Sequence, residues 1–231
     1  MTVQVGWASC PKCQGLHYAG FDFKGVCPAG GPHEQVGSFS YTLRYDVAGS
    51  DQCQPGWAAC PKCQGLFYGP FHGVCPAGGT HTATGSYAYG VTYGVSVAYD
   101  VQLGWTSCAK CQGLFYGPYG GACPAGDLHS TRGSFDYALG IEHPFIEGFV
   151  IRGTNIVVSG RGFTHGGSVR VRYWYSLAGR EYWNDKVVSA DSAGALNQVV
   201  VFSSLPAGAV HRKVQGVDLA AKIDSNKFDP F

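Results

Sequence analysis

Cysteine and histidine carry most of the reactive chemistry of this 231-residue chain, and twelve of them obey one spacing written three times. The order is C-x2-C, a gap, then C-x5-H. The first set is Cys10, Cys13, Cys27 and His33; the second is Cys60, Cys63, Cys75 and His81; the third is Cys108, Cys111, Cys123 and His129. Three thiolates and one imidazole complete a tetrahedral shell for Zn2+, which tolerates this ligand set because it has no ligand-field preference and is soft enough for sulfur. With all four positions filled by protein, such a metal is structural and has no open position for catalysis. The competing reading is a disulfide framework. Three cysteines per copy is an odd number, and the histidine would then have no role. The expectation is three zinc sites.

The spacing predicts tight knuckles. Pro11 and Pro61 follow the first cysteine and fix a turn dihedral. Gly15, Gly65 and Gly113 are expected to supply the positive φ that turns backbone N–H groups toward sulfur. The gap is 13 residues in the first copy and 11 in the others, so it reads as a loop or hairpin.

What must position these ligands is a repeat. Trp7, Trp57 and Trp105 stand 50 and 48 residues apart, each three residues before the first ligand and three after a glutamine, Gln4, Gln54 or Gln102. Short strands recur in each copy. Leu16 and Tyr18 alternate, as do Phe39, Tyr41 and Leu43, with equivalents in the other copies. A fourth strand is expected at 95–101 and its equivalents, with residues 2–5 supplying it for the third copy. Three such units either close into a pseudo-threefold β-trefoil, the favoured arrangement, or stand as separate modules in a row. Each unit's core is too small to be stable alone, and structural zinc, on the order of 10 kcal/mol per site, offsets that deficit.

After residue 142 the cysteines stop. Strands are expected at 149–151, 155–159, 168–175, 182–190, 196–202 and 210–217, separated by glycine turns such as Gly166-Gly167. With 35 glycines, 14% aromatic residues and no long helix-period segment, the composition is that of an all-β chain. The organisation is a three-repeat zinc-binding domain over 1–142 and an immunoglobulin-like β-sandwich over 143–231.

Two resemblances cover nearly the whole chain. The stretch Ser159-Gly160-Arg161-Gly162-Phe163-Thr164-His165-Gly166-Gly167, with Ser189-Ala190-Asp191-Ser192-Ala193-Gly194, resembles immunoglobulin-like domains of bacterial secreted and surface proteins. The repeats resemble tandem Trp…Cys-x-x-Cys-Gln-Gly-Leu…Cys-Pro-Ala-Gly-Gly-x-His units found beside lectin-like or catalytic domains. Cys108-Ala109 departs from that pattern. The resemblances imply architecture and a secreted or cell-surface setting, and carry no catalytic residues.

Function is read by class. Charged residues are 13% and net charge is +1, so no basic field for nucleic acid exists; Lys12, Lys62 and Lys110 recur, but one cation per copy reads as a knuckle-tip charge offset. No secretory leader or membrane-length apolar run is visible. The histidines left over, His17, His72, His143, His165 and His211, do not recur across the copies and fit no catalytic motif, so an enzyme is not expected. Neutral ligands suit the composition. Trp7, Trp57 and Trp105 with Tyr18, Tyr68 and Tyr116 are candidate carbohydrate contacts, repeated three times for avidity; packing of the tryptophans on the knuckles is the competing role. Arg170, Arg172 and Trp174 share one strand face and are a candidate partner surface. Cys53 reads as a buried thiol. The resulting expectation is a non-enzymatic adhesion module for carbohydrate or a surface receptor, with a scaffold in a larger secreted or toxin assembly as the alternative and single-stranded nucleic-acid binding ranked third.

Overall fold

The computed structural model describes residues 2–49, 52–96, 100–203 and 206–228 and divides into two compact units, Met1–Glu142 and His143–Phe231. Among the described residues the strand pairings of both are antiparallel. Among the described residues no helix is long and apolar enough to cross a membrane.

In the first unit each repeat contributes three strands among the described residues. They are β1 (Thr2–Ser9), β2 (Leu16–Tyr18) and β3 (Tyr41–Tyr45); β4 (Cys53–Ala59), β5 (Leu66–Tyr68) and β6 (Tyr89–Tyr93); β7 (Val101–Ser107), β8 (Leu114–Tyr116) and β9 (Tyr137–Ile141). The leading strand of each copy is long and bulged just before its tryptophan. Its first part pairs with the third strand, and the part from the tryptophan onward pairs with the second. This corrects the expected four strands. Residues 2–5 are the first half of β1 itself, and residue 101 begins β7; residues 97–99 of the expected 95–101 strand lie outside the described residues.

The repeats close on one another head to tail. Tyr45 of β3 pairs with Tyr89 of β6, Tyr93 of β6 with Tyr137 of β9, and Ile141 of β9 with Tyr41 of β3. A second ring of bridges joins β2, β5 and β8 through Gly15–Phe115, His17–Gly65 and Phe67–Gly113. Separate modules in a row are thereby excluded. The reason is visible in the core. Trp7, Leu16, Tyr41 and Leu43 form one continuous cluster with Trp57, Leu66, Tyr89 and Val91 and with Trp105, Leu114, Tyr137 and Leu139. Four apolar side chains per copy are too few to exclude water alone, and twelve together do so.

The second unit has a sheet of three strands, β10 (Phe145–Arg152), β11 (Asn155–Arg161) and β14 (Leu196–Phe202), and a sheet of four in the order β13 (Arg180–Ser189), β12 (Ser168–Leu177), β15 (Val210–Asp218), β16 (Ile223–Phe228). Alternation builds the core they share. Val169, Val171, Tyr173 and Tyr175 of β12 meet Ile156 and Val158 of β11 and Leu196 and Val201 of β14, with Phe163 between. The β16 strand was absent from the expected set; its sequence, IDSNKF, is rich in residues with low strand propensity.

Candidate metal centres

Each knuckle is closed by backbone hydrogen bonds. Cys10 N donates to Gly15 O at 3.0 Å and Gln14 N to Cys10 O at 2.7 Å, and both other copies repeat the pair. The residue that turns left-handed is the glutamine, not the glycine after it: Gln14, Gln64 and Gln112 have φ of 60°, 60° and 63°, while Gly15, Gly65 and Gly113 have no positive φ. The glutamine side chain holds its own turn, since Nε2 donates to the carbonyl three residues back, Pro11, Pro61 or Ala109, at 2.7–3.0 Å. The second half, Cys-Pro-Ala-Gly, folds into a matching turn in which Cys27 N donates to Gly31 O, Cys75 N to Gly79 O and Cys123 N to Asp127 O.

These turns bring the four side chains of each set together. In every cluster one ligand atom per residue lies within 4.8 Å of all the others, so each can hold a metal ion. Sγ–Sγ separations are 3.8 Å for Cys10–Cys27, 3.9 Å for Cys60–Cys75 and 3.8 Å for Cys108–Cys123. A disulfide needs about 2.05 Å, and all ten cysteines are free thiols, Cys53 included, buried in β4. The imidazoles face the clusters through Nδ1, at 3.6, 3.5 and 3.4 Å from the sulfurs of Cys13, Cys63 and Cys111. The other face of each ring is packed: His81 stacks on Phe67 and His129 on Phe115, while His33 stacks on His17, which takes the phenylalanine position.

Proton chemistry in the clusters is frustrated. A hydrogen bond from Cys63 brings Cys60 down to about 2, and one from Cys111 does the same for Cys108. Cys63 and Cys111 are pushed far up, because each gives its proton to that bond and is buried. Thiols this close cannot all ionise unaided. A bound cation removes the conflict and releases the protons. The lysines add a second clamp: Lys12 Nζ donates to Gly30 O and Pro32 O, Lys62 to Gly78 O and Thr80 O, and Lys110 to Gly126 O, so each ties one knuckle to the other.

The centres interlock around the ring. Tyr18 N donates to Gln64 O, Tyr68 N to Gln112 O and Tyr116 N to Gln14 O, each at 2.9 Å, so every repeat rests on the next one's knuckle. Gly25, Gly73 and Gly121 sit so close to that knuckle that a Cβ would fall 2.0–2.2 Å from the carbonyl oxygen of Cys63, Cys111 or Cys13.

The other expected contacts are placed differently. Trp7, Trp57 and Trp105 are 0%, 1% and 0% exposed and present no ring face to a ligand; this corrects their candidacy as sugar contacts. Each indole N–H donates to the glutamine three residues earlier, at 3.0, 3.2 and 3.1 Å. Tyr18, Tyr68 and Tyr116 pack against these tryptophans and remain partly exposed. Beyond them stand rings the spacing reading missed: Phe21, Phe71 and Tyr119, each three residues after the tyrosine. That constant offset was the available signal. On β12, Arg170 is exposed, but Arg172 is spent within the sheet. It pairs in bidentate fashion with Asp185 at 2.7 Å and lies 4.4 Å over the Trp183 ring and 5.8 Å from that of Trp174.

Compared with protein-family models, curated proteins and solved structures, the chain matches none.

Proposed function

We propose that this chain is a zinc-stapled, non-catalytic binding module that recognises carbohydrate at a cell surface. For the metal, a tetrahedron with Zn–S bonds of about 2.3 Å has S–S edges of about 3.8 Å, and the observed separations of 3.8–3.9 Å suit it. Four protein ligands per centre support a structural role. Against catalysis stand the engagements of two of the remaining histidines: His72 Nδ1 lies 3.3 Å from His81 O and His165 Nδ1 3.0 Å from Ser192 O. The knuckle lysines are committed to carbonyls, which leaves little for phosphate.

The observation that carries the binding reading is the threefold display of exposed aromatic rings at one repeat position, Phe21, Phe71 and Tyr119, at 58%, 69% and 74% exposure. Rings held out at equivalent positions suit stacking on several sugar units at once. Head-to-tail closure supports a trefoil-like identity for the first unit. The strand orders β10-β11-β14 and β13-β12-β15-β16 support an immunoglobulin-like identity for the second, by analogy with sandwiches in which a fourth strand joins the C-F-G sheet. A secreted or surface location goes with both.

A glycan array probed with the zinc-loaded chain tests this; reproducible hits are expected, and an empty array rejects carbohydrate. A second reading, docking to a protein in a larger assembly, draws on Trp183 and Tyr182, exposed beside Arg172. It predicts an empty array and a stoichiometric complex in pull-down.

A further inference from the structure

We infer that the ligand sites are the three clefts between repeats, each taking one neutral, hydroxyl-bearing ring such as a pyranose. This rests on the carbohydrate reading and adds the location, the ligand class and the stoichiometry.

Two clefts are formed alike. One, of about 390 Å³, lies between the first and second repeats and is lined by Gln4, Tyr18, Phe21, Gln64, Tyr87 and Tyr89 among others. Its counterpart, of about 310 Å³, lies between the third and first and is lined by the equivalent residues Gln102, Tyr116, Tyr119, Gln14, Phe39 and Tyr41. Gln54, Tyr68, Phe71, Gln112, Phe135 and Tyr137 hold the same positions at the remaining junction. Both volumes fall in the range of small-ligand sites, roughly 300–1,000 Å³.

The lining selects the ligand. Among the described residues neither cleft has a lysine, arginine, aspartate or glutamate in its wall, so none of them compensates an ionic ligand. Four aromatic rings line each cleft. Serine hydroxyls line both clefts and Thr84 one of them, with Ser38 and Ser86 already donating to the carbonyls of Phe39 and Tyr87, and the amides beside them have free valences set by bonds already made. Gln4 Oε1 accepts from the Trp7 indole and from the Tyr89 hydroxyl, so this amide offers its NH2. Gln64 Nε2 is bound to Pro61 O, so that amide offers its carbonyl oxygen. A donor and an acceptor on facing repeats, beside aromatic rings, match a hydroxyl-bearing ring, whose hydroxyls both give and take hydrogen bonds and whose C–H face is apolar. The left-handed backbone at Gln14, Gln64 and Gln112 supports the same assignment. That conformation costs a non-glycine residue roughly 1–2 kcal/mol, and all three copies keep a glutamine there.

The test is a titration of the isotope-labelled, zinc-loaded chain, followed by 15N–1H NMR, with the methyl glycosides of glucose, galactose, mannose and N-acetylglucosamine, and with sialic acid as the acidic comparator. The expected result is movement of the side-chain amide signals of Gln4, Gln54, Gln102, Gln14, Gln64 and Gln112 with at least one neutral glycoside. Phe21→Ala should weaken binding about tenfold at one cleft, and the triple change with Phe71→Ala and Tyr119→Ala at all three. These rings are exposed, so the fold should survive, with unchanged Trp7, Trp57 and Trp105 indole signals as the check. Sugar-dependent shifts confined to other residues would overturn the cleft assignment and leave the carbohydrate reading standing. Preference for sialic acid would overturn the neutral class. No shift with any sugar would overturn the inference, and with an empty array the reading beneath it.

Discussion

The hydroxyl of Tyr41, in the first repeat, donates to Oε1 of Gln102, in the third, at 2.5 Å across 61 residues of chain. The indole N–H of Trp105 takes the same oxygen at 3.1 Å. Tyr89 reaches Gln4 and Tyr137 reaches Gln54 in the same sense, so three half-buried amides link the repeats in a ring. Removing an acceptor strands two buried donors, while removing one hydroxyl leaves the amide with its indole. Gln102→Ala should therefore destabilise the first unit by about 2–3 kcal/mol and Tyr41→Phe by about 1 kcal/mol. Urea unfolding read by tryptophan fluorescence checks the order.

The same tyrosines set an alkaline limit. Burial pushes Tyr137 up to about 12 from an ordinary value of 10.0, and pushes Tyr41 and Tyr89 up as well. Below pH 10 both folded and unfolded chains keep these protons and the raised values have no effect on stability. Above it the unfolded chain ionises first, so stability falls as pH rises from about 10 to about 12. Tyr137→Phe should flatten that decline in unfolding midpoints measured across the range.

Two glycine substitutions separate close packing from backbone conformation. At Gly73 (φ +63°) a Cβ would lie 2.1 Å from Cys111 O; at Gly85 (φ +73°) it meets nothing within 4 Å. Gly85→Ala should cost about 1 kcal/mol, the price of the left-handed region alone. Gly73→Ala should cost about 3 kcal/mol or more and loosen the third metal centre, because the knuckle carbonyl has to move. Thermal unfolding and metal content of the two variants give the comparison.

How far the sequence reaches differs by feature. The ligand sets were legible because metal-ligand spacing is local: two knuckles, each closed within six residues, fix four donors whatever surrounds them. The strand at 196–202 was legible to the residue. The cluster geometry does not depend on which residue turns the chain, and there glycine preference misled, since Gln14 takes the left-handed position and Gly15 does not. The role of Gln4, Gln54 and Gln102 was out of reach: their period is plain, but an acceptor is defined by its donors, and Tyr89 lies 85 residues from Gln4. The tryptophans' burial followed from ring closure, which pooled three small cores into one.

In the second unit, Arg172 holds Asp185 below the usual carboxylate range by a direct hydrogen bond. A lowered folded value stabilises above the unfolded value of 3.8 and is lost as pH falls through the folded one. Arg172→Ala should remove this acid dependence. Because the pair is partly solvated, the change near neutral pH should stay within about 1 kcal/mol, measured by urea unfolding at pH 7 and pH 3.

The most direct test of three closed centres is native mass spectrometry of the intact chain with a thiol count before and after chelation. Three zinc ions per chain are predicted, with nine ligand thiols becoming reactive once the metal is removed. A chain that carries no metal and shows few reactive thiols would contradict the account.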